Sequence, residues 1–324
     1  MTRRWVGLVA LAAAAIVIGV VLGPVSIPPR EVFAALGGGG EDTTIAIVRG
    51  LRLPRALLAF LVGGSLAVTG AALQALVRNA LADPYLLGLS GGAGLGAVAA
   101  IVLGVGGPWG VPAAAFVGAL AAVALVYRLA VVASGVLEPR ILVLAGVVVG
   151  AFAAAIMGAF IAVSPAPELR NALLWLLGGF HAASWHSVGV FTAYAVLPLS
   201  VLASAHRALD LLALGEEPAQ FLGTDVPAVK RRVYLAASLL TAAAVAVSGI
   251  IGFVGLVVPH AIRMVWGHLH GALLPAAFLL GGTLLVLADA AARTVVAPVE
   301  LPVGVVTALL GVPVFAFLLR RWTS

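Results

Sequence analysis

Three arginines stand within seven residues at Arg49-Gly50-Leu51-Arg52-Leu53-Pro54-Arg55, beside stretches that carry almost no charge. An arginine in lipid costs roughly 2.5–3.5 kcal/mol at a helix centre and less at the interface. The cluster therefore reads either as a set of snorkelling interface anchors or as a basic docking surface for an acidic partner. Asp289 is the one acid inside an apolar run. It precedes Arg293 by four residues, which puts both on one helical face and within pairing reach. Proton or ion coupling inside a membrane needs buried carboxylates or a polar chain across the spans. Asp289 reads better as half of a salt bridge near a helix end, so an ion-coupled carrier lacks its usual sign.

Other chemistries are missing outright. There is no G-x-x-x-x-G-K-[ST] loop to cradle nucleotide phosphates. Gly91-Gly92-Ala93-Gly94-Leu95-Gly96 has the look of a dinucleotide loop, but it follows no strand and lies inside an apolar run, where close helix packing explains it. Without cysteine there is no disulfide, thiol nucleophile, iron–sulfur cluster or thiolate zinc site. His181 and His186 are five apart and off a common helical face, and His268 and His270 share a short polar loop. Both pairs read as surface histidines, so no metal or other cofactor is expected on this chain.

These residues must be carried by membrane-spanning elements. Of 324 residues, 63% are hydrophobic and 9% charged, against about 25% charged in soluble domains. At ~20 residues per span, the apolar content has room for roughly ten. Arg3-Arg4 precede a 19-residue apolar run from Trp5 to Gly23. That is longer than the ~7–15-residue core of a signal peptide, so a retained first span is expected. Further runs are Ala56–Val77, Leu86–Gly106, Gly110–Tyr127, Ile141–Val163 and Val188–Ala205. Val233 to Trp266 would measure ~51 Å as one helix, against a hydrocarbon core of ~30 Å. It must break, with Gly249, Gly252, Gly255 and Pro259 as candidates. Spans are expected at Val233–Ser248, Phe253–Trp266, Ala272–Ala291 and Val303–Leu319.

Ten spans place both termini on one side. Twelve Lys and Arg residues then face the cytoplasm and six the exterior, in keeping with the positive-inside rule. The net charge of +6 does not suggest nucleic acid, because the longest basic run is Lys230-Arg231-Arg232. No domain boundary shows, so residues 1–324 read as one domain. The longest internal polar segment, 206–232, contains Leu214-Gly215-Glu216-Glu217-Pro218-Ala219-Gln220-Phe221-Leu222-Gly223. Its acids and proline suit a helix start and Gly223 a helix end. A short cytoplasmic helix is expected, with Phe221 and Leu222 available to insert into another protein.

Five segments, in order, resemble the FecCD family, the permease subunits of ATP-driven importers for iron–siderophores, haem and cobalamin. They are Arg52-Leu53-Pro54-Arg55; Arg78-Asn79-x-Leu81-Ala82-Asp83-Pro84; Leu214-Gly215-Glu216 with Leu222-Gly223; Gly252-Phe253-Val254-Gly255-Leu256-Val257-Val258-Pro259-His260; and Glu300-Leu301-Pro302-Val303-Gly304. The resemblance implies an all-α integral membrane protein with the type II importer permease fold, in a bacterial inner membrane. It implies a homodimer with two cytoplasmic ATPase subunits, which would carry ATP and magnesium, and a periplasmic binding protein. The chain itself would be no enzyme. By the same resemblance, Arg52, Arg55 and Arg293 would meet acidic side chains of the binding protein. Gly215, Glu216, Glu217, Ala219, Leu222 and Gly223 would couple to the ATPase. Trp175, Gly178, Gly179 and Phe180, after the fifth span, would line or gate the pathway. An iron chelate (siderophore or haem) is the leading substrate, with cobalamin the alternative because Gly178-Gly179-Phe180 looks similar to the cobalamin permeases.

Overall fold

The computed structural model describes residues 2–322, and the described residues form helices and turns without a strand. Among the described residues, seven helices are long and apolar enough to cross a membrane. They are α1 (Thr2–Val21), α4 (Leu53–Val77, preceded by short α2, Pro29–Gly37, then α3, Asp42–Ile45, and a π-helical turn, Ala46–Arg52), α6 (Gly110–Ser134), α7 (Pro139–Ala162), α9 (Trp185–Ser204), α12 (Val226–Ser248) and α14 (His270–Thr294). Only α3, the π turn and α4 run on as one helix, from Asp42. Three shorter apolar stretches complete the ten expected spans: α5 (Leu89–Val102), α13 (Val254–Trp266) and the part Val303–Phe317 of α15 (Val303–Trp322). Between them lie α8 (Ala166–Leu176), α10 (His206–Leu214) and α11 (Glu216–Phe221).

Helix α4 is the axis of the bundle, buried almost all round between α14, α12, α13 and α9. Small residues make this possible, since lipid supplies no hydrophobic drive and packing distance decides. A Cβ on Gly70 would overlap the carbonyl oxygen of Gly255, and one on Gly63 that of Gly281. Helices α1, α7 and α9 instead leave most of their apolar surface outside the single chain.

Residues 233–266 do break, at Gly249–Phe253. Gly255 and Pro259, two of the candidate breaks, lie inside α13 instead. Pro259 has no N–H to give the carbonyl four residues earlier, which is that of Gly255. Gln74 of α4 fills the vacancy, with its Nε2 donating to Gly255 O at 3.3 Å. Helix α13 has 13 residues and α5 has 14, so each is ~20 Å long. The non-helical backbone between α12 and α13 must find partners within the protein. Tyr85, in the short 3₁₀ turn Pro84–Leu87, supplies two. Its hydroxyl donates to Ile251 O at 3.0 Å and accepts from Ile251 N at 3.1 Å. Burial pushes this phenol well above its usual range and keeps it protonated.

The two ends of the bundle differ in charge pattern. At the α10–α11 end, Arg4 donates to Val265 O, Asp210 accepts from His270, and Lys230 pairs with Glu216. The opposite end carries Arg49, Arg52, Arg55, Arg293 and Glu300.

Candidate pathway and coupling site

The arginines expected at a docking surface turn inward. Arg52 is 4% exposed; it donates to the carbonyls of Val20, Val21 and Val25 at 3.2, 2.8 and 2.5 Å, so it caps the unpaired end of α1. Arg293 is 2% exposed and donates to Gly19 O and Leu22 O at 2.9 and 3.2 Å. Its Nε lies 3.0 Å from Asp289 Oδ2, the i,i+4 pair that the spacing predicts. Arg55 reaches the same carboxylate from α4, with Nη2 2.9 Å from Asp289 Oδ1 and Nη1 2.9 Å from Glu300 Oε2. His181 Nδ1 approaches Glu300 at 3.0 Å. Arg52, Arg55 and Arg293, the arginines expected to face a partner, each bond within the fold of the single chain. Together they join the end of α1, α4, α14 and the turn before α15. Among the described residues the exposed arginines of this end are Arg30, Arg49, whose Nη2 donates to Leu36 O at 2.6 Å, and Arg170.

The expected gate segment is a junction of backbones. After α8 the chain turns at Gly178, with φ +72. Gly179 N donates to Ser248 O at 2.8 Å, Val303 N to Gly178 O at 3.0 Å and Gly304 N to Leu177 O at 3.1 Å. Three chain segments thus meet: the end of α8, the α12–α13 break and the start of α15. Gly178, Gly249 and Gly304 let them meet, because a Cβ on Gly178 would lie 2.6 Å from Ile250 O and one on Gly304 would overlap Leu177 O. Phe180 is fully buried in the core, whereas Trp175 is part-exposed. Beside the junction runs an apolar groove of about 490 Å³, lined by Leu176, Leu177, Ile250, Val305, Leu309 and Val312 among others. Glu300, in the turn leading into α15, ties this junction to the charge network.

At the other end, segment 206–232 holds two short helices rather than one, followed by the first turns of α12. Gly215, at φ +133, turns α10 back on α11. Ala219 is fully buried against Leu212 and Val226, so it anchors the turn. Asp225 caps α12 by accepting from Ala228 N at 3.1 Å. Glu216 pairs with Lys230 at 2.5 Å, and Lys230 also donates to Leu137 O at 3.0 Å. These contacts hold out Leu214, Phe221 and Leu222, which are 70%, 90% and 63% exposed. Sequence reasoning missed Tyr85 and Gln74. Their signal was present: an isolated polar side chain in or beside an apolar run, matched to a break that needs backbone partners.

Residues 11–321 match the model of the FecCD transport family. The chain belongs to that family. FecCD proteins are permeases of ABC importers, which work with ATPase subunits and a substrate-binding protein. The chain is 45% identical over 287 residues to the cobalamin import system permease BtuC of Halobacterium salinarum, covering 89% of this chain and 77% of that protein. It is 44% identical over 281 residues to the hemin transport permease HmuU of Yersinia pestis, covering 84% and 82%. A solved inward-facing transporter, described as of the metal-chelate ABC type, superposes with a TM-score of 0.87 at 30% identity and covers 99% of this chain and all of that one. This FecCD chain is therefore a multi-pass membrane permease subunit of an ABC importer.

Proposed function

We propose that the chain forms, as a homodimer, the path by which a macrocyclic metal chelate crosses the bacterial inner membrane, with a corrinoid first and haem second. The observation that carries the transport reading is the pairing of two built devices on one bundle. One is the rigidly mounted α10–α11 turn with its projecting Leu214, Phe221 and Leu222. The other is the glycine junction beside an apolar groove. In this reading Glu216, Glu217, Leu222 and Gly223 shape the seat in the ATPase, and Gly215 sets the turn. Trp175, Gly178, Gly179 and Phe180 govern the pathway mouth. Arg30, Arg49 and Arg170, rather than the buried arginines, meet the acidic binding protein. Both termini lie in the cytoplasm. Relatives named for cobalamin and for hemin support the choice of macrocycle over a siderophore.

The test is uptake by proteoliposomes holding the permease, its ATPase and its binding protein. ATP-dependent accumulation of cobalamin or haem is expected. Uptake of a ferric siderophore with neither macrocycle would overturn the substrate reading. Phe221→Asp is expected to leave the inserted permease intact and to abolish ATPase stimulation by loaded binding protein. Full stimulation would overturn the coupling role.

A further inference from the structure

At the α10–α11 end, a cavity of about 380 Å³ opens between the end of α4, the second half of α13 and the start of α14. Its polar walls include Arg78, which ends α4, His260 and Arg263 of α13, and His268 of the α13–α14 turn. No carboxylate lines it. Among the described residues neither Arg78 nor Arg263 has an ion-pair partner. Asp210, the acid tied to neighbouring His270, does not line the cavity, and its Oδ1 accepts from both the backbone N and Nδ1 of that residue. Gln74 is 3% exposed and holds Arg263 in place. Its Nε2 donates to the carbonyls of α13, and its Oε1 accepts from Arg263 Nη1 at 2.5 Å.

The C-termini of α4 and α13 offer about half a negative charge each. Arg263 is part-buried with no carboxylate opposite it, and a partly desolvated cation without a counter-charge is costly; Arg78 adds a second positive charge at the exposed rim. An anion with several acceptor oxygens completes the balance, and a phosphate suits arginine geometry. Beside the cavity, Met264, Val265 and Leu269 are 63%, 48% and 69% exposed. The site is thus a basic pocket with an apolar apron. Basic pockets between membrane helices near the surface bind lipid headgroups.

We propose that this cavity binds a phosphate-bearing anion, with a phosphatidylglycerol headgroup as the occupant that the apolar apron favours. The full-length permease in detergent is examined by native mass spectrometry with phosphatidylglycerol, with phosphatidylcholine, and with inorganic phosphate alone. The wild type is expected to retain phosphatidylglycerol over phosphatidylcholine by at least tenfold, and Arg78→Gln with His268→Gln to reduce that retention at least fivefold. Arg78 and His268 are exposed, so this variant keeps the fold. Arg263→Lys, with the charge kept, is expected to retain binding better than Arg263→Gln. Competition by millimolar inorganic phosphate would assign the site to soluble phosphate while keeping its chemistry. Equal retention of both lipids without phosphate binding, or binding unchanged in the double variant, would overturn the proposal.

Discussion

Replacing Asp289 by Asn removes the shared anion of the buried charge network. The carboxylate is 1% exposed and answers both Arg55 and Arg293. An amide keeps one acceptor oxygen and turns an NH₂ group toward a guanidinium. Breaking a buried pair from one side costs about 3–5 kcal/mol, because the remaining charge stays desolvated. Glu300 supplies the comparison. It is 22% exposed and answers Arg55 and the exposed His181, so Glu300→Gln is expected to cost about 1 kcal/mol. Roughly 2 °C of melting temperature per kcal/mol applies to a chain of this size. Asp289→Asn should therefore melt about 6–10 °C below the wild type and Glu300→Gln about 2 °C below. Unfolding of membrane proteins is often irreversible, so both are measured in one detergent at one scan rate. Equal shifts for the two variants would refute the argument that Asp289 holds the network.

Tyr85→Phe leaves the N–H and C=O of Ile251 without their shared partner, at about 1–3 kcal/mol for each group left unsatisfied. It should lower the melting temperature and speed proteolysis at the α12–α13 break, and an unchanged cleavage pattern would count against it. Gly38→Cys and Thr224→Cys, in a chain without native cysteine, should label from opposite sides. In right-side-out vesicles an impermeant thiol reagent should reach the first and spare the second. Burial pushes the Asp83 carboxyl up to about 6. The folded state then holds a proton that the unfolded chain has released, so stability should fall as pH rises from about 4 through 6. The loss is at most about 3 kcal/mol, and Asp83→Asn, read as melting temperature at pH 5 and 7.5, should remove that slope.

Much of this molecule is written locally in its sequence. The ten apolar helices follow from hydropathy and length, because a membrane demands long runs with their own backbone bonds satisfied. The break within residues 233–266 follows from glycine and from a length no single span could have. The Asp289–Arg293 pair follows from helical spacing alone. What the tertiary structure decided was which group meets which across helices. Arg52 and Arg55 lie beside each other in sequence, yet one caps α1 and the other pairs with residues more than two hundred positions away. Tyr85 and Gln74 act on backbone that is likewise distant in the chain. Ala219 and Phe221 are two apart, and only the fold of α10 on α11 turns the first inward and the second outward. Hydropathy and periodicity report one helix at a time, whereas burial of a charge depends on the neighbour that packing brings to it.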